Sequence, residues 1–127
     1  MEPADLRFLL IVDWAELENT PVTERRQLTI ERWFDRARRL AAIEGRVEQD
    51  VIDELQSLAR IRAARARVEL ITELSKELAI AQALDKRVTP PWRRRLARLA
   101  AVMKVPTDSL QREIEAAADA VRITVAS

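Results

Sequence analysis

The sequence predicts an all-α protein: a single-domain bundle of about five helices, with a long central helix and an approximate helix-hairpin repeat. Ala, Leu, Glu and Arg dominate the 127 residues, and all four are good helix formers. Gly occurs once and Tyr not at all, so tight glycine hairpins have almost nothing to build on. Apolar residues recur at three- and four-residue spacing through most of the chain, the signature of helices buried along one face. With 48% hydrophobic and 34% charged residues the composition is that of a soluble globular protein, and 127 residues can bury a core without staples.

The first helix is predicted from Pro3, a favoured first-turn residue, to about Glu18, with Leu6, Leu9, Leu10, Trp14 and Leu17 on its apolar face. A strand through Arg7 to Val12 is the competing reading, but no second strand exists to pair with it. Asn19-Thr20-Pro21 breaks the pattern, and Thr23 is the expected cap of a second helix of about 20 residues. Ile30, Trp33, Phe34, Ala37, Leu40 and Ala41 form its stripe, and Gly45 follows as a left-handed C-terminal cap. From Glu48 to about Ala83 neither Pro nor Gly interrupts the chain, which predicts a helix about 50 Å long. Its face runs through Val51, Ile52, Leu55, Leu58, Ala59, Ala63 and Ala66, then Leu70, Ile71, Leu74 and Leu78. Between Arg60 and Arg67 only Ile61 is large and apolar, so a thin waist is expected there, with a bend or break as the alternative. Thr89-Pro90-Pro91 starts a fourth helix that turns Trp92, Leu96, Leu99, Ala100 and Met103 inward. After Pro106, Thr107 caps a fifth with Leu110, Ile114, Ala117 and Val121 inside, and a frayed tail is expected over 122–127.

The missing residue types exclude much chemistry. Without Cys there are no disulfides and no thiolate zinc sites. Without His the chain lacks the commonest general base, metal ligand and pH switch. Ser57, Ser75, Ser109 and Ser127 sit in no nucleophile motif, so no enzyme activity, catalytic residue or cofactor is expected. The acids Glu48, Asp50, Asp53 and Glu54 have the oxygen ligands of a cation site, but they open a helix, where carboxylates favour the dipole. No metal is expected. Leu6 to Val12 is apolar, yet Glu2 and Asp5 precede it and Asp13 ends it, unlike a secretory signal. No apolar run approaches the roughly 20 residues of a membrane span. The expected location is cytoplasmic.

Placing Glu44-Gly45-Arg46-Val47 over Asp85-Lys86-Arg87-Val88 also aligns Leu55 with Leu96, Leu58 with Leu99 and Ala59 with Ala100, all at an offset of 41 residues. A weaker copy begins at Glu18, and the repeat-like units run over about 5–43, 44–84 and 85–121 within one 1–127 domain. Helix, acidic-led turn, Val and then an amphipathic helix, repeated, resembles the TerB-like (tellurite-resistance) helical domains. The segment from Leu96 to Leu110 fits that family's closing helix-turn-helix and is similar as well to the end of the helicase-binding domain of bacterial primases. The resemblance covers about residues 5–120 and implies an all-helical fold. Lys86 stands where the pattern has Gly, and Arg93, Arg94 and Arg95 stand where a carboxylate follows, so the acidic metal site of the family is not carried over.

Charge patterning says more about function. Residues 1–24 hold six acids and one base, whereas 86–104 hold seven bases and no acid. The formal net charge of +1 conceals this separation. Arg outnumbers Lys 19 to 3; codon usage in a GC-rich genome is the plain cause, but Arg also makes bidentate and stacking contacts that Lys cannot. Arg93, Arg94, Arg95 and Arg98 have no acid on their own helix, and Arg60, Arg62, Arg65 and Arg67 form a second acid-free stretch. These arginines either pair with acidic helices of the chain or meet a partner. The expected partner is an acidic protein surface, which makes the chain a non-catalytic adaptor or assembly module. Nucleic acid contacted through the same arginines is the alternative. The thin waist also hints at a homodimer. Trp14, Trp33 and Trp92 lie on apolar faces and are read as core.

Overall fold

The computed structural model describes residues 1–126, with side chains described through Arg122. It is all-α, with five helices and a long central one: α1 (Pro3–Glu18), α2 (Gln27–Glu44), α3 (Glu48–Ala83), α4 (Pro90–Met103) and α5 (Thr107–Ala126). α3 runs unbroken for 36 residues, so the helix, and not the break, is realised at the waist. α5 continues through Ala126, where a frayed tail from Arg122 was expected; Ser127 lies outside the described residues.

The residues group into two compact units, Met1–Arg65 and Ala66–Ser127, with the division inside α3. In the first unit α1, α2 and the start of α3 share a core of Leu10, Trp33, Ala37, Leu40, Val51 and Leu55. Trp14 packs on its edge, its ring 4.5 Å from that of Trp33, and Phe34 meets Trp33 edge-on at 5.2 Å. A second seam joins α1 to α3 through Ala15, Ala59 and Ala63, whose small side chains let the helices approach closely. In the second unit Leu74, Leu78, Trp92, Leu96, Leu99, Leu110 and Ile114 make the core between α3, α4 and α5.

Several expectations are corrected in detail. Thr23 does not cap α2. Pro21 enters an extended conformation and Val22–Glu24 close a short 3-10 turn, which ends at an extended Arg25. The Arg25 Nε–H donates to the Thr20 carbonyl at 3.0 Å, and α2 starts only at Gln27. Leu9 is 37% exposed, because α1 turns Ala15 toward the alanine seam instead. Leu58 and Ala66 are exposed, and Ala118 takes the buried place expected of Ala117. No residue from Ala64 to Glu73 is buried, so the waist extends over almost three turns of α3.

Three helices end the same way. Gly45, Asp85 and Lys104 adopt left-handed φ values of 64°, 53° and 57°. The next residue in each case donates its N–H five residues back: Arg46 to Ala41, Lys86 to Ala81 and Val105 to Ala100. This is the Schellman closure, and it satisfies carbonyls that a helix end leaves open. Gly45 is the expected cap; Asp85 and Lys104 make the same turn with a Cβ in place. These caps do not follow the sequence repeat: at its 41-residue offset Gly45 falls on Lys86, one residue past the left-handed Asp85, and Asn19 in the weaker copy has a φ of −98°.

Candidate partner-binding surface

α4 is built to hold a charged face in one orientation. Thr89 Oγ1 accepts the Trp92 backbone N–H at 3.3 Å, and Pro90 and Pro91 supply the fixed φ of the first turn. The Trp92 indole N–H donates to the Leu74 carbonyl at 3.0 Å, which ties α4 to α3. Trp92, Leu96, Leu99 and Ala100 are buried, so Arg93, Arg94 and Arg98 are turned to solvent.

The eight arginines singled out by the sequence do not behave alike. Arg95 is half-buried and pairs with Glu77 of α3 at 2.5 Å. Arg60 reaches Glu18 of α1 at 3.6 Å. The Arg62 guanidinium lies over the Phe8 ring, 5.5 Å from its centroid. Arg98 is exposed, and Arg67 is partly buried on α3. Arg93, Arg94 and Arg65 are exposed, and among the described residues none of the three forms an ion pair. Arg95 and Arg60 are thus held in ion pairs within the chain, whereas Arg93, Arg94 and Arg65 form none among the described residues.

The acids at the start of α3 are drawn apart. Glu54 takes Arg7 at 2.7 Å and Arg46 at 2.6 Å, while Glu44 also binds Arg7 at 3.2 Å. Asp53 accepts the Gln49 amide at 2.7 Å, and Glu48 faces Arg38 at 3.9 Å. The hydrogen bond from Arg46, with the Arg7 charge added, holds the Glu54 carboxyl below the ordinary range, and Arg46 is raised in turn. Among the described residues no three metal-ligating side chains gather as a cation site, and no helix is long and apolar enough to cross a membrane.

Two concave surfaces escape the sequence reading. A groove of about 310 Å³ lies where α3 meets α4, with Ile80, Leu84, Val88 and Trp92 as its apolar wall and Lys86 and Arg87 among its lining. The signal available was Ile80 and Leu84, four residues apart and off the core stripe, just before a basic doublet. A polar cleft of about 440 Å³ between α1 and α2 mixes Arg26, Arg32 and Arg36 with Asp13, Glu16 and Glu24. It depends on the late start of α2, which periodicity did not reveal.

No family model, curated protein or solved structure matches the chain.

Proposed function

We propose that this chain is a non-catalytic helical adaptor, and that the outer face of α4 docks on an acidic protein surface in the cytoplasm. The observation that carries the reading is the Arg93–Arg94 doublet: exposed, on a helix without an acid, and without an ion pair among the described residues. The backbone that carries the two guanidiniums is already tied down at Thr89 and Trp92, so binding orders side chains alone, and guanidiniums suit bidentate carboxylate contacts. Arg98 extends the same basic surface along α4. A formal charge of +1 argues against nucleic acid as the ligand, since phosphate binding ordinarily shows a strongly basic footprint.

The test compares a labelled polyglutamate peptide with generic duplex and single-stranded oligonucleotides, starting at about 50 mM salt. Peptide binding that is lost in Arg93→Ala/Arg94→Ala, with no oligonucleotide binding, is the expected result. Steeply salt-dependent oligonucleotide binding lost in the same variant overturns it in favour of a phosphate-contacting protein.

A further inference from the structure

Two of the exposed apolar surfaces carry opposite charges. The first is the solvent-facing stripe of α1, where Phe8 is 57% and Leu9 37% exposed and Val12 is partly covered. Asp5 and Glu16, both exposed, stand at its two ends at helical spacing, so the stripe reads acid, apolar, apolar, acid along one face. Arg62 covers one side of Phe8 and leaves the rest of the ring open. The second is the groove at the end of α3, where Ile80 and Leu84 are 60% and 59% exposed and Trp92 closes the floor. Its lining carries Lys86 and Arg87, which form no ion pair among the described residues, whereas Glu77 on its wall is neutralised by Arg95.

An amphipathic helix laid in an apolar groove is a recurrent mode of recognition, and the flanking charges set the partner and its direction. We propose that the groove lined by Ile80, Leu84 and Val88 receives the α1 stripe of a second copy of this chain, with Phe8 and Leu9 inserted and Asp5 and Glu16 facing Lys86 and Arg87. Such a contact joins two different surfaces, so it is heterologous: each molecule offers a stripe and a groove, and copies add head to tail. One helix face on one short groove covers less than the roughly 800 Å² per partner of a standard stable interface, so the association is weak and rises with concentration. The surface is separate from the Arg93–Arg94 doublet and goes beyond the adaptor reading.

The experiment is sedimentation of the full chain from about 10 μM to 1 mM at low salt. The weight-average mass of the unaltered chain is expected to rise with concentration and to rise less as salt is added. Phe8→Glu and Leu84→Glu, both at exposed positions that tolerate a charge without unfolding, each weaken association at least tenfold. Mixing these two variants restores one intact stripe and one intact groove, so they form a one-to-one complex that grows no further. Arg93→Ala/Arg94→Ala leaves the association unchanged. A chain that stays monomeric throughout overturns the proposal, as does association that survives Phe8→Glu and Leu84→Glu together. Loss in the Arg93→Ala/Arg94→Ala variant overturns it too, by moving the contact to α4. A monomer whose groove binds an amphipathic Leu/Glu peptide overturns the choice of a second copy.

Discussion

The Trp33 indole N–H donates to the backbone carbonyl of Leu10 at 2.8 Å, fully inside the first unit. Trp92 makes the corresponding bond to Leu74 in the second. In both, the second helix of a unit is tied to a carbonyl of the helix before it, and the large ring fills the core around that bond. The arrangement satisfies a polar atom that burial would otherwise penalise.

Removing that tie separates hydrogen bonding from packing. Trp33→Phe is expected to lower stability by about 1–3 kcal/mol, through the lost N–H···O bond and the smaller ring, and Trp33→Ala by about 3–5 kcal/mol. Urea unfolding followed by far-ultraviolet circular dichroism measures both. A change below about 0.5 kcal/mol for Trp33→Phe would remove the bond from any structural role.

The three left-handed caps predict opposite signs for opposite substitutions. Nothing lies within 4 Å of a Cβ placed on Gly45, so Gly45→Ala costs only the backbone strain of its φ of 64°, about 1 kcal/mol. Lys104→Gly relieves the same strain and is expected to gain about 1 kcal/mol. Asp85→Gly gains less, because Asp tolerates the left-handed region better than Lys does. Thermal midpoints order the three variants.

Ala63 and Ala66 read alike in the sequence and differ in the structure. Ala63 is fully buried against α1, where Asn19 Nδ2 also donates to its carbonyl at 3.1 Å, whereas Ala66 is exposed. Ala63→Leu therefore overpacks the seam and is expected to cost about 1–3 kcal/mol. Ala66→Leu stays within about 0.5 kcal/mol of the unaltered chain, by the same unfolding measurement.

Glu54 sets a pH dependence. Its carboxyl is held below the ordinary range by the hydrogen bond from Arg46 and the charge of Arg7, so the folded state binds its proton less readily than the unfolded one. The stabilisation is complete above the unfolded value of about 4.3 and disappears as pH falls through the depressed folded value. Glu54→Gln should be less stable than the unaltered chain at pH 7, and the two should converge in acid. Added salt should narrow the difference at pH 7, because the pair is exposed to solvent. A gap that persists in acid would assign the effect to packing.

The all-α class, the five helices and the faces of α2 and α4 follow from local period, capping residues and the placement of Pro and Gly. Those are properties of neighbours in the chain. Thr89 with Pro90 and Pro91 could only begin a helix, and Gly45 could only end one cheaply. The same local rules misplaced the start of α2, because Pro21 and the extended Arg25 divert the chain into a 3-10 turn that Thr23 alone does not announce. The buried half of an alanine-rich helix is not encoded in its own spacing; Ala63 is inside and Ala66 outside because α1 reaches one and not the other. Charge behaves likewise. The acid-free basic helix was plain in the sequence, but Arg95 has Glu77 across from it while Arg93 and Arg94 face outward, and only packing assigns those partners. Local interactions determine which elements form. Contacts between residues far apart in sequence decide which of their side chains remain available to a partner.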